Sequence, residues 1–122
     1  MRKVTGMKHE SELYKVIVCI PPEYSDKLMD ALADSVDPMY PGYDRAFTII
    51  PVKGTWRTLE GSHPYNGKVG EITVADEVRI EFAVHSKDLK TAIDTILGIH
   101  PYEEPGIDIL PMIGWKDVTD RP

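Results

Sequence analysis

From Val74 to His85 the chain carries Val74, Val78, Ile80, Phe82 and Val84 on one parity and Glu77, Arg79, Glu81 and His85 on the other. A period of two sends these two sets to opposite faces of an extended strand. Such a strand needs neighbours in a sheet and a layer over its apolar face. The rest of the sequence offers both. Tyr14 to Ile20 (YKVIVCI) is a β-branched run that Pro21 and Pro22 stop, and it reads as the first strand. Tyr24, Leu28, Ala31, Leu32, Ser35 and Val36 then recur at helical spacing, which predicts a helix over Pro22 to Val36.

A turn-rich connection, Asp37-Pro38-Met39-Tyr40-Pro41-Gly42, leads to a second strand at Phe47 to Ile50, with a short continuation at Thr55 to Leu59 beyond Gly54. After the long alternating stretch, Leu89, Ile93, Ile96 and Leu97 define a second helix over Lys87 to Leu97, with Ser86 at the N-cap and Gly98 at a left-handed C-cap. Ile107 to Ile113 closes the series as an edge strand, the position that tolerates Pro111. The order β-α-β-β-α-β predicts an α+β, ferredoxin-like open sandwich with an extended hairpin loop between the second and third strands. Residues 1–12 read as a polar N-terminal extension, 13–115 as the domain, and 116–122 as a polar C-terminal tail.

Two helices cover one face of such a sheet. Lys15, Ile17 and Cys19 share the other face with Arg79, Glu81 and Ala83. Burial of Ile17 and Cys19 against symmetry mates accounts for an apolar first strand, so a homo-oligomer, dimer or trimer, is expected. The chain of 122 residues is large enough for one disulfide-free core. Its formal charge of −6, with no basic run, argues against nucleic acid and anionic membrane as partners. The single Cys19 reads as a small buried hydrophobe in a reducing compartment, and without a membrane-length apolar run or a signal peptide the protein is expected in the cytoplasm.

The most chemically dense stretch is His100-Pro101-Tyr102-Glu103-Glu104-Pro105, which holds an imidazole, a phenol and two carboxylates between prolines. His100, Glu103 and Glu104 suit a divalent cation, and His63 of the parallel His63-Pro64-Tyr65 can add a fourth ligand if the two triplets converge. A structural corner is the competing reading, with a protonated His100 facing the helix C-terminus and Tyr102 packed on a neighbour. Glu60, Ser62, His63, Tyr65 and Tyr102 are candidate ligand contacts, and Trp56, Tyr65 and Tyr102 can form an aromatic wall. Gly61, Gly67 and Gly70 lack Walker spacing and a following helix, so they read as turn glycines. No nucleophile elbow or triad spacing is present.

Thr55-Trp56-Arg57-Thr58-Leu59-Glu60-Gly61-Ser62-His63-Pro64-Tyr65-Asn66-Gly67-Lys68-Val69-Gly70, then Glu77-Val78-Arg79-Ile80-Glu81, then His100 to Pro105, resemble in order and spacing the small YqfO-type module of the YqfO (Nif-three-like) family, which occurs alone or inserted in larger proteins. The resemblance runs from about Gly54 to Ile109, while Asp37 to Ile50 departs from it. It implies a fold similar to the PII and CutA proteins, oligomeric assembly, and small-ligand or metal binding between subunits. The two-metal site behind the larger members' cyclohydrolase-like label belongs to another domain. The expected function is therefore a non-enzymatic regulatory or sensor module for a small ligand or metal. A purely structural interaction module is the alternative, and a metal-dependent hydrolase using His100, Glu103 and Glu104 the third reading.

Overall fold

A computed structural model describes residues 12–121. Four strands, β1 (Leu13–Ile20), β2 (Thr48–Arg57), β3 (Ile72–His85) and β4 (Ile107–Met112), form one antiparallel sheet in the order β2-β3-β1-β4. Helices α1 (Ser25–Ser35) and α2 (Leu89–Ile99) pack side by side on one face. This is the ferredoxin-like arrangement that the order of elements predicts.

The core lies where the two periodicities meet. Val16, Val18 and Ile20 of β1 and Ile80, Phe82 and Val84 of β3 bury their side chains against Leu28, Met29 and Leu32 of α1 and Ala92 and Ile96 of α2. Each large side chain of this set contributes roughly 1.5–3 kcal/mol by leaving water. The register pairs Ile17 with Glu81 and Cys19 with Arg79 on the opposite face, as the alternation requires. Ile17 is only 9% exposed in the single chain. Its burial therefore needs no symmetry mate, and that argument for self-association does not stand.

Several boundaries differ from the sequence reading for identifiable reasons. The first helix starts with a 3-10 turn at Pro22–Tyr24, closed by the Ser25 hydroxyl donating to the Pro22 carbonyl at 2.8 Å. Ser86 is not an N-cap; it opens a second 3-10 turn, Ser86–Asp88, and its N–H donates to the Glu12 carbonyl at 2.8 Å. Gly98 is helical rather than a left-handed cap. Pro101 disfavours the α region for the residue before it, so the helix runs on to Ile99 and ends at His100, which is extended at φ −65°, ψ 128°.

The second strand does not break at Gly54. It runs unbroken through Pro51, tolerated because β2 is an edge strand, and pairs with β3 over its whole length. β4 is the other edge and carries Pro111. Met1 to Ser11 of the expected extension lie outside the described residues, and the expected tail includes most of a 3-10 turn, Trp115–Val118. Among the described residues no helix is long and apolar enough to cross a membrane.

Candidate functional site

At the end of the sheet where β1 stops, four adjacent segments meet in a staggered register, Gly54 lying opposite Ala75, Glu77 opposite Val52 and Cys19 opposite Arg79. Gly54 of β2, Glu77 of β3, Cys19 of β1 and Gly106 just before β4 form a sunken floor on the face without helices. Trp56, Arg57 and Thr58, the loop residues Ser62, Pro64, Tyr65 and Asn66, and the corner residues Tyr102, Glu103 and Glu104 rise around it. They enclose a cleft of about 420 Å³, within the range of small-molecule sites.

Gly54 has a specific role in this floor. A Cβ there would come within 2.6 Å of the Glu77 Cδ, so only glycine leaves room for the carboxylate to lie across β2. Glu77 is 7% exposed, and the Tyr102 hydroxyl donates to its Oε2 at 2.7 Å. Among the described residues that is the one hydrogen bond to this carboxylate. Arg79, two residues along on the same face, is committed to Glu81 through Nε and Oε2 at 2.6 Å. Burial, then the Glu77 carboxylate, pushes the Tyr102 phenol well above its ordinary range, which keeps it a donor.

His100 holds this corner together from beneath. It is 7% exposed; its Nδ1 accepts the Tyr102 N–H at 3.2 Å, so the ring proton sits on Nε2 and is donated to the Cys19 carbonyl at 2.6 Å. Burial depresses its pKa against the opposing influence of the Cys19 carbonyl and the Glu77 charge. The imidazole is therefore neutral, not the protonated partner of a helix terminus expected from the sequence. With both nitrogens engaged it presents no lone pair for a cation.

The two His-Pro-Tyr triplets do converge, but not through their imidazoles. The His63 backbone N–H donates to Glu103 Oε1 at 3.1 Å, and the Tyr65 and Tyr102 rings lie 5.9 Å apart. Trp56 joins the same wall at 5.4 Å from Tyr102, and the Tyr65 hydroxyl donates to Glu23 at 3.2 Å. The Tyr65 phenol is pushed up to about 12, chiefly by its hydrogen bond with the Tyr24 hydroxyl. Of the five expected ligand contacts, Ser62, Tyr65 and Tyr102 line the cleft, while the exposed Glu60 and His63 side chains do not. Of the four expected metal ligands, Glu103 and Glu104 line it, His100 lies below it and His63 outside. Among the described residues no three His, Cys, Asp or Glu side chains come together around a common point.

Sequence reasoning missed Glu77 and placed Cys19 as a buried hydrophobe. Cys19 is half-buried at the cleft floor, and burial, then Glu77, raises its thiol pKa, which leaves it a poor nucleophile. A signal existed. Glu77 and Cys19 fall on the same uncovered face in adjacent strands, next to a glycine inside β2. Gly67, at φ +108°, is also required: a Cβ there would meet the Thr73 Oγ1 at 2.6 Å and the Thr58 Oγ1 at 3.1 Å.

The fold is the ferredoxin-like fold shared by the CutA and PII proteins. CutA1 from Shewanella sp. superposes with a TM-score of 0.65 at 17% identity, covering 86% of this chain and 85% of that one. Arabidopsis thaliana PII, solved bound to citrate, does so with a TM-score of 0.54 at 21% identity, covering 84% and 77%. More specifically, the chain is similar to proteins of the YqfO (Nif-three-like) family. A Bacillus cereus protein related to NIF3 matches with a TM-score of 0.73 at 26% identity over 85% of this chain and 26% of that protein. Proteins named GTP cyclohydrolase 1 type 2 homolog are 31% identical over 104 residues in Staphylococcus epidermidis and 29% over 110 residues in Bacillus subtilis, covering 85% and 90% of this chain. The chain spans only 28% and 30% of the length of these two relatives. No family model matches it.

Proposed function

We propose that this chain is a non-enzymatic regulatory module that binds a small molecule in the cleft between the root of the β2–β3 hairpin and the His100 to Gly106 corner. The cleft itself carries the reading: about 420 Å³, walled by Trp56, Tyr65 and Tyr102 and floored by a buried carboxylate. Catalysis finds less support. Among the described residues the one His–Cys contact joins the His100 ring to the Cys19 backbone carbonyl, not to its thiol, so no nucleophile is paired with a base there. The separated placement of His63, His100, Glu103 and Glu104 favours an organic ligand over a divalent metal. The cyclohydrolase name of the relatives describes much longer proteins and is not carried over.

Self-association is part of the proposal. Its support is the open edge strand β4, which exposes Ile109 on one face and Leu110 on the other, with Ile113, Trp115 and Val118 also exposed beyond it. The free thiol of Cys19 supports a reducing compartment.

A thermal-shift screen of small metabolites against the purified chain and its Trp56→Leu variant tests the function. A ligand that raises the Tm of the parent and not of the folded variant supports the cleft. A broad screen that moves neither protein, with native mass spectrometry showing an empty oligomer, favours a scaffold that only joins subunits.

A further inference from the structure

We propose that the ligand taken by this cleft is a small organic cation, its ammonium group lying over the rings of Trp56, Tyr65 and Tyr102 and facing the Glu77 carboxylate. The proposal deepens the ligand-binding reading above and rests on it. Three observations point to positive charge. First, a carboxylate that is 7% exposed needs compensation, and Glu77 receives one hydrogen bond, from Tyr102, among the described residues. The nearest guanidinium on its face, Arg79, is turned to Glu81.

Second, the walls are aromatic. The three rings form a continuous surface with centroid spacings of 5.4 and 5.9 Å, and a cation within about 6 Å of a ring centroid is attracted by the negative face of the π system. The same faces repel an anion. Tyr102 donates its hydroxyl proton to a carboxylate, which enriches its ring in electron density and strengthens that preference.

Third, the ionised groups lining the cleft are Glu77, Glu103 and Glu104 against Arg57. Glu23 adds another carboxylate at the Tyr65 hydroxyl. No covalent step is involved; the ligand binds and leaves unchanged.

Matched probes test the charge separately from the cleft. Binding of choline and of its neutral, equally shaped analogue 3,3-dimethylbutan-1-ol is measured by calorimetry on the full chain, with n-butylamine, n-butanol and malonate as further probes and Trp56 fluorescence as the local readout. The expected result is that at least one of the two cations binds about tenfold or more tightly than its neutral analogue, with malonate weakest. Glu77→Gln, which keeps an acceptor for Tyr102, should cut that preference about threefold or more and leave the neutral analogue within about twofold of its parent affinity. Alcohols that bind as tightly as the cations, or malonate binding more tightly, with Trp56 responding, overturn the cation and leave the cleft intact. No probe binding and no Trp56 response overturns both.

Discussion

The bond between Tyr102 and Glu77 carries the most informative single substitution. Tyr102→Phe removes one hydroxyl and leaves the ring, which packs at 5.4 Å from Trp56, 5.9 Å from Tyr65 and 4.8 Å from His100, so the loss reports the hydrogen bond alone. The acceptor is a carboxylate 7% exposed whose described donor is that hydroxyl. Hydrogen bonds to charged groups contribute roughly 1.5–3 kcal/mol, and water entering the open cleft recovers part of the loss, which puts the expected cost at about 1.5–2 kcal/mol. For a domain a little over 100 residues long, that is a Tm decrease of about 6–8 °C. Urea unfolding should show a lower midpoint with an unchanged slope. In a Glu77→Gln background the same change removes only a neutral hydrogen bond, about 0.5–1 kcal/mol, so the double-mutant cycle should give a coupling of about 1 kcal/mol. A Tyr102→Phe protein within about 0.5 kcal/mol of the parent, or strict additivity with Glu77→Gln, refutes the claim that this pair organises the cleft.

Three further outcomes follow from the geometry. His100 is held neutral with a depressed pKa, so an unfolded chain titrating at its ordinary value of 6.5 binds protons first; stability is complete above about pH 6.5 and falls as pH drops from there toward the native value. Urea midpoints at pH 7.5 and 5.5 should differ more for the parent than for His100→Gln, and equal pH dependence in the two contradicts the neutral tautomer. Gly67→Ala should cost about 1–3 kcal/mol by thermal denaturation, because φ is +108° and the Cβ would crowd Thr73 and Thr58; a neutral result means the loop is not packed as described. Gly98→Ala should instead stabilise by about 0.5–1 kcal/mol, since the position is helical with open space around it, whereas destabilisation would restore the left-handed cap.

The fold was legible because its strongest signals, the alternation in β3 and the apolar runs in β1 and the helices, are the ones that bury the core. What escaped was set by contacts distant in sequence. Gly54 reads locally as a break, yet its reason is the Glu77 side chain lying across it. Gly98 reads as a stop until Pro101 is seen to act on His100. The convergence of His63-Pro64-Tyr65 with His100-Pro101-Tyr102 was readable as parallel motifs. The use of each histidine was not, since a ring nitrogen's partner, such as the Cys19 carbonyl 81 residues away, leaves no local pattern.

The ligand-binding reading places the ligand in the cleft between the hairpin root and the His-Pro-Tyr corner. Chemical-shift mapping of the labelled chain during a choline titration addresses it residue by residue. Saturable shifts are expected at the Trp56 indole N–H and at the amides of Glu77, Tyr102 and Gly106, with Lys90 and Val118 unmoved. Saturable shifts confined to α2 or to β4 beyond Ile107, with the Trp56 indole unchanged, would contradict it.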